Sequence, residues 1–253
     1  MRVALFVTCL VDLMRPSIGF ATARLLEEAG CELVVPETQT CCGQPAYSSG
    51  DRAAARQLAK KVIGEFAGFD YVVAPSGSCA EHIRNAYPLL LADEADWLPR
   101  AQELAARTFE LTDFLVNVLH VDKVPGRFAG SVTYHDSCSG LRGMGIREQP
   151  RALLAQVPGL ELREMAGAEE CCGFGGAFSV KFGELSAAIA ARKSGNVRAS
   201  GADAVVGGDL GCLLNIEGRL RREGDLKTRV LHVAEVLAGV DGDGEAKLAG
   251  GAN

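Results

Sequence analysis

Short unbroken apolar runs recur along this chain, separated by longer stretches whose apolar residues return every three or four positions. Residues 2–8 form the first run and predict a buried strand ending at Cys9. Pro16 opens a predicted helix over Ser17–Ala29, stopped by Gly30. A short strand, Glu32–Pro36, leads into a loop carrying Cys41-Cys42-Gly43-Gln44-Pro45. Ala55, Leu58, Ala59, Val62 and Phe66 share one face of a helix predicted over Asp51–Phe66. Asp70–Pro75 predicts another buried strand, ending in Ser76-Gly77-Ser78-Cys79 with a helix starting near Cys79. Residues 92–126 read as a connecting region with helical pieces at Pro99–Arg107 and Thr112–Leu119, the second capped by Thr112.

After Pro125-Gly126 the pattern restarts. Val132 to Cys138 repeats the spacing of Val3 to Cys9, and Pro150 opens a helix to Gln156. Gly159-Leu160-Glu161-Leu162 matches Gly30-Cys31-Glu32-Leu33, and Asp203 through Cys212 matches Asp70 through Cys79. A long helix is predicted near Glu184–Ala199, a strand over Thr228–Leu231 and a last helix over His232–Leu237. The predicted fold is α/β: two duplicated Rossmann-like βαβ halves with parallel sheets, related by pseudo-two-fold symmetry. The halves are expected over residues 1–125 and 126–240, followed by a disordered tail over 241–253.

Eight of the nine cysteines fall into two matched quartets: Cys9, Cys41, Cys42, Cys79 and Cys138, Cys171, Cys172, Cys212. Each holds a Cys-Cys-Gly triplet, with 32 and 33 residues from the first cysteine to the pair and 37 and 40 from the pair to the last. Every member follows a predicted strand, where parallel sheets gather ligands, so each quartet is expected to converge at one edge of its own sheet. Cys31 has no counterpart, since Leu160 fills its place, and reads as a core residue.

Composition narrows the chemistry. A net charge of −6 without a basic block argues against nucleic acid or an anionic membrane as partner, and 6% aromatic residues leave little for base stacking. The opening Met1–Val7 is too short for a signal peptide's apolar region, and no membrane span is predicted. The expected location is the cytoplasm, where thiols stay reduced and cysteine quartets serve metals or redox chemistry rather than structural disulfides. Thiolates suit zinc, copper(I) or iron–sulfur clusters. Structural zinc usually takes Cys-x2-4-Cys pairs, which are absent, and adjacent cysteines are easier to satisfy at a cluster with several irons. Gly43 and Gly173 would let backbone approach such a cluster. The glycine-rich Gly173-Phe174-Gly175-Gly176 lacks the Lys-Ser/Thr of a phosphate loop, and Gly207-Gly208-Asp209-Leu210-Gly211 is a weak dinucleotide signal. Glu169-Glu170 reads as a solvated turn.

The repeated Cys-Cys-Gly arrangement over residues 2 to about 238, with His135-Asp136-Ser137-Cys138 and Arg142, resembles the Cys-Cys-Gly domain family of iron–sulfur proteins. That family includes the B subunit of heterodisulfide reductase, the iron–sulfur subunit of glycolate oxidase and lactate utilization protein A. The short chain, without a ferredoxin-type cysteine run, is most similar to the last group. The resemblance implies one or two clusters per chain, of the 4Fe-4S type, held by Cys9, Cys41, Cys42, Cys79, Cys138, Cys171, Cys172 and Cys212. In heterodisulfide reductase the motif ends Cys-x2-Cys and serves noncubane clusters of five cysteines. Here the final position is His82 in one copy and Asn215 in the other, so each site is one thiolate short. His82 either ligates iron, as imidazole does in Rieske centres, or donates a hydrogen bond nearby. His135 either serves the cluster, by a hydrogen bond to sulfide or by passing protons, or is a satisfied structural histidine. Arg142 either offsets cluster charge or binds a substrate carboxylate, against an ordinary surface ion pair.

The implied function is electron transfer in cytosolic oxidation of L-lactate to pyruvate, alongside iron–sulfur subunits resembling lactate utilization proteins B and C. No nicotinamide or flavin fingerprint is present, so no catalytic residue is assigned and the chain is expected to be a subunit of an oxidoreductase complex. The other readings are a heterodisulfide-reductase-like or glycolate-oxidase-like subunit and, in another class, a zinc-bearing scaffold.

Overall fold

The computed structural model describes residues 1–240, and the predicted tail over 241–253 lies outside the described residues. β1 (Arg2–Leu5), β2 (Glu32–Val34), β3 (Tyr71–Ala74) and β4 (Thr108–Glu110) form one parallel sheet in the order β2-β1-β3-β4. β5 (Gly130–His135), β6 (Leu160–Leu162), β7 (Ala204–Gly207) and β8 (Arg229–His232) repeat it as β6-β5-β7-β8. Val3 pairs with Leu33 on one side and Tyr71 on the other, and Val132 pairs with Leu162 and Ala204. The fold is therefore α/β with two similar halves, as the internal repeat predicts. Helices cover both faces of each sheet. That is why the central strands are continuously apolar rather than alternating: Val3, Ala4, Val72, Val73, Val205 and Val206 are all fully buried.

The halves are joined by packing as well as by chain. Helix Val233–Ala238, buried along its whole length, lies against helix Ser17–Glu28. One apolar core runs through both halves and includes Ile18, Leu25, Leu213 and Leu237. Polar contacts close the rim: Ser17 Oγ donates to Glu235 Oε1 at 2.7 Å, and Arg15 reaches the Val230 carbonyl and Glu217 at 3.0 Å each. Cys31 packs in this core. No helix among the described residues is long and apolar enough to cross a membrane.

Several local expectations are corrected. The connecting region contains a strand, β4, which completes the first sheet. Three residues, Thr-Phe-Glu, are too few to carry a periodic signal. Thr112 is not the cap of the helix that follows. Glu110 is, its Oε2 accepting the Thr112 and Asp113 N–H groups at 2.8 and 3.2 Å and the Thr112 hydroxyl at 2.6 Å. A carboxylate caps better here because it takes three donors at once. Pro150 is the third residue of helix Glu148–Leu154 rather than its opening, and the helix expected near Cys79 starts at Gly77.

Glu110 carries a testable consequence. Complete burial pushes its carboxyl up to about 7, against the lowering effect of its three donors. Between the unfolded value near 4.5 and this one, the folded state keeps a proton that the unfolded state has lost. Stability therefore falls as pH rises across that window and levels off above it. Glu110→Gln keeps the accepting oxygen and removes the titration. The variant is expected to match the parent near the acid end and to exceed it by up to about 3 kcal/mol above neutrality. Urea unfolding at several pH values checks this, and an unchanged pH slope would show that the carboxyl is not the group responsible.

Candidate metal centre

The quartets form where strands hand over to helices. Cys9 is the first residue of helix Cys9–Met14, reached through Thr8 at φ 72°. A threonine in this left-handed region is strained by about 1–3 kcal/mol, and such strain gathers at functional sites. Thr8 Oγ1 offsets part of it by accepting the Val11 N–H at 3.4 Å. Cys79 and Cys212 are each the third residue of their helices, Gly77–Glu81 and Leu210–Arg222, and Cys138 precedes the π-helical turn Ser139–Gly143.

The two Cys-Cys-Gly loops have the same conformation. Gly43 and Gly173 both lie at φ 87°, a region open to glycine at little cost. Each glycine N–H turns back onto the first cysteine of its pair, at 3.4 Å to Cys41 Sγ and 3.3 Å to Cys171 Sγ. Each glycine also lies against the following long helix. A methyl group on Gly43 would meet Leu58 Cβ at 3.2 Å, and one on Gly173 would meet the Ser186 carbonyl oxygen at 2.6 Å. Side chains on the next layer hold the loops: Tyr87 donates its hydroxyl to the Cys42 carbonyl at 2.7 Å, and Asn215 donates its amide to the Cys172 carbonyl at 2.8 Å.

The first quartet is drawn together. Cys9 and Cys41 sulfurs are 3.8 Å apart, and Cys42 and Cys79 sulfurs 3.5 Å. Bonds from Cys42 and Cys9, with the Gly43 N–H, pull the Cys41 thiol down to about 2, while its bond to Cys41 and burial push the Cys9 thiol up. One sulfur ionises first, at the expense of its neighbours. In the second quartet Cys172 and Cys212 are buried, whereas Cys138 and Cys171 are exposed. Cys171 is pushed up by its bond to Cys172 and then by burial.

The whole first quartet and two cysteines of the second share one cavity of about 270 Å³ between the halves, at the carboxyl ends of both sheets. Cys9, Cys41, Cys42, Cys79, Cys138 and Cys212 all line it. Its other polar lining is hydroxyls, Gln44 and the buried Asp209, and among the described residues no lysine, arginine or histidine lines it. Asp209 ties the halves together at this point, accepting the Ser78 N–H at 2.9 Å and the Ser76 hydroxyl at 3.4 Å. Its carboxyl is pushed up by burial.

The histidines differ. His82 is buried with Nε2 unpartnered, its ring set edge-on against Tyr47 and Tyr87 at 5.2 and 5.5 Å. Burial pushes it down to about 4, against the opposing pull of Cys41. His135, the last residue of β5, is fully buried and neither ring nitrogen has a hydrogen-bond partner. A ring nitrogen of His135 and the sulfurs of Cys172 and Cys212 all lie within 4.8 Å of one another. Beneath this cluster the buried Lys193 ammonium donates to the Gly167 and Ala168 carbonyls at 2.6 and 3.1 Å. Arg142 is exposed and outside the cavity lining. The nearby Asp136 is instead paired by Arg151, through two contacts at 2.8 and 2.9 Å.

Sequence reasoning missed Thr8, Tyr87, Lys193 and Asp209. Asp209 stood in the glycine-rich stretch read as a weak dinucleotide signal, but its partners Ser76 and Ser78 lie in the other half. Tyr87 and Lys193 follow no spacing rule.

An eight-thiol donor set, with glycine N–H groups turned to sulfur and orphaned imidazole nitrogens alongside, fits a thiophilic metal or iron–sulfur group. The family model of the Cys-Cys-Gly cysteine-rich domain matches the chain twice, over residues 3–84 and 132–217. Lactate utilization protein A of Geobacillus kaustophilus is 48% identical over 237 residues, covering 94% of this chain and 98% of that protein. The Bacillus subtilis protein of the same name is 47% identical, covering 94% and 99%. A crystal structure of a hypothetical protein from Helicobacter pylori shares the fold, with TM-score 0.58 at 12% identity, covering 93% of this chain and 48% of that one. With both cysteine quartets inside the matched segments and near-half identity along almost its whole length, the chain belongs to the Cys-Cys-Gly cysteine-rich family and, within it, to the lactate utilization protein A family.

Proposed function

We propose that this protein is an iron–sulfur electron-transfer component of a cytosolic system oxidising L-lactate to pyruvate. It would work beside partner iron–sulfur subunits resembling lactate utilization proteins B and C. The observation that carries this reading is one cavity lined by the first quartet and by Cys138 and Cys212 of the second, with no cation in its lining among the described residues. A lactate carboxylate needs a guanidinium, an ammonium or an array of N–H donors. Among the described residues the cavity presents thiols, hydroxyls, the Gln44 amide and one acid but no guanidinium or ammonium, so substrate binding is assigned to a partner and electron passage to this chain. Cys9, Cys41, Cys42 and Cys79 would hold one cluster, with His82 beside it. Cys138, Cys171, Cys172 and Cys212 would hold the other. A bound cluster supplies one-electron storage, at a potential set by its ligands, hydrogen bonds and burial. The chain's own part is to place Gly43 and Gly173 N–H groups on sulfur and to keep water from Cys42, Cys79, Cys172 and Cys212. Arg142 stands on the exposed surface nearby, where it can meet a partner.

Zinc is the competing occupant. The 3.5 and 3.8 Å sulfur pairs match the separation of about 3.8 Å required by two thiolates on one tetrahedral ion. Metal analysis separates the readings. Protein purified without oxygen is expected to contain iron and acid-labile sulfide in near-equal, multi-atom amounts. Cys42→Ser and Cys172→Ser are each expected to remove about half of both. Zinc without sulfide, in material never exposed to air, would overturn the electron-transfer reading in favour of a scaffold.

A further inference from the structure

We infer that His135 is a direct metal ligand of the second site, bonding through a ring nitrogen beside Cys172 and Cys212. The inference rests on the cluster reading above and adds a nitrogen donor to it. Three observations carry it. The nitrogen and both sulfurs lie within 4.8 Å of one another, the one such group of three or more metal-binding side chains among the described residues. All three residues are buried. Both His135 ring nitrogens are without hydrogen-bond partners, and a buried polar atom without a partner costs about 1–3 kcal/mol. A metal bond removes that penalty at one nitrogen. The Ala168 carbonyl lies beside the ring, but it and the Gly167 carbonyl each already take two donors, Lys193 with the Asp136 N–H and Lys193 with the Glu170 N–H, and neither ring nitrogen completes a hydrogen bond.

The backbone explains the placement. His135 ends β5 in register with Gly207, which ends β7. A methyl group at Gly207 would stand 3.4 Å from the His135 carbonyl and 3.2 Å from the Leu213 side chain. Strand end, glycine and helix start therefore crowd together, and the imidazole is brought to Cys212 by fold geometry rather than by a flexible loop. The position three residues after Cys212 offers no ligand of its own. It holds Asn215, whose amide is committed to the Cys172 carbonyl at 2.8 Å. The second site thus takes its non-thiolate donor from the strand side. The first half has no equivalent: Phe6 stands where the repeat aligns His135, and it is fully buried against Phe66. The two sites are then chemically unlike. Neutral imidazole in the second favours the reduced state relative to an all-thiolate site.

The test uses anaerobically purified protein grown on histidine labelled with nitrogen-15, reduced and examined by pulsed electron paramagnetic resonance. A nitrogen-15 coupling of directly bound strength is expected in the parent and in His82→Ala, and is expected to be lost in His135→Ala. If His135→Ala does not fold, the His82→Ala spectrum decides alone. The remaining histidines, His120 on the surface and the fully buried His232 at the end of β8, are neither of them in a metal-binding group. Iron and sulfide present without any such coupling would overturn the ligand and leave the cluster reading intact. A coupling lost in His82→Ala and kept in His135→Ala would also overturn it. Absence of iron and sulfide from the parent would overturn the cluster reading and the ligand with it.

Discussion

Gly173→Ala is expected to destabilise the protein by about 3–4 kcal/mol, against about 1–2 kcal/mol for Gly43→Ala. The two glycines occupy matching places in the repeat and share φ 87°, so the backbone penalty for an L-residue is the same in both. The difference is steric. At Gly43 the new methyl group would stand 3.2 Å from Leu58 Cβ, a contact that small shifts relieve. At Gly173 it would stand 2.6 Å from the Ser186 carbonyl oxygen and 3.2 Å from the Ala190 nitrogen. Both atoms belong to the backbone of helix Gly183–Ala199, so no rotamer change opens the space. The loop must move instead. It would lose the Ser186 hydroxyl bond to the Gly173 carbonyl at 2.8 Å and the Gly173 N–H on Cys171. Iron and sulfide are therefore expected to fall toward the one-site level in Gly173→Ala and to stay near the parent level in Gly43→Ala. Gly50→Ala is the control: φ is 90° and ψ 0°, close to Gly43, with nothing within 4 Å of the added carbon, leaving only the backbone penalty. Urea unfolding with metal analysis on the same samples measures both effects. Equal losses in Gly43→Ala and Gly173→Ala would show that the close approach to the helix does not govern the second site.

This asymmetry marks where sequence reading reaches its limit. The matched cysteine spacings and the apolar runs before them are local properties, and both are readable: the quartet cysteines do follow strands or strand-led loops in two four-stranded parallel sheets. The cavity that the first quartet shares with Cys138 and Cys212 is not readable, because it depends on how the halves pack. Asp209 shows the reason. Its stretch reads as a weak dinucleotide signal, yet Asp209 accepts the Ser78 N–H of the other half. Likewise β4 is too short for periodicity and exists because Val72 and Ala74 offer it a paired edge. Glu110 replaces Thr112 as helix cap for a related reason. The strand ends one residue before the helix begins, which places the carboxylate directly beneath the free N–H groups. His135 and His82 were both visible as candidates, but only the fold could say which one stands beside two thiols.

Acid is expected to weaken the joint between the halves, through His232. The side chain is fully buried at the end of β8, with the Gly208 and Pro75 carbonyls and the Arg15 guanidinium around it. Its Nδ1 accepts the Ala234 N–H at 3.2 Å as the cap of helix Val233–Ala238, while Nε2 completes no hydrogen bond. Burial first, and Arg15 in addition, push the imidazole down to about 3. Unfolded, it would take a proton near 6.5. Below that pH the unfolded state holds a proton that the folded state refuses, so stability is complete above 6.5 and declines as pH falls toward 3. The whole decline from this one group is about 4–5 kcal/mol, a large share of the 5–15 kcal/mol that stabilises a typical domain. Protonation would also set a second positive charge beside Arg15, whose guanidinium bonds the Val230 carbonyl and Glu217 across the joint. His232→Asn keeps an acceptor for the Ala234 N–H, since asparagine caps helices well. It is expected to reduce the slope of unfolding free energy between pH 4.5 and 6.5 by about 1.4 kcal/mol per pH unit, the worth of one proton. The smaller side chain is expected to cost about 1–2 kcal/mol at pH 8, where the imidazole is neutral in both states. Chemical unfolding across the pH range separates the two effects. An unchanged acid slope in His232→Asn would place the acid sensitivity on other groups and leave His232 as packing alone.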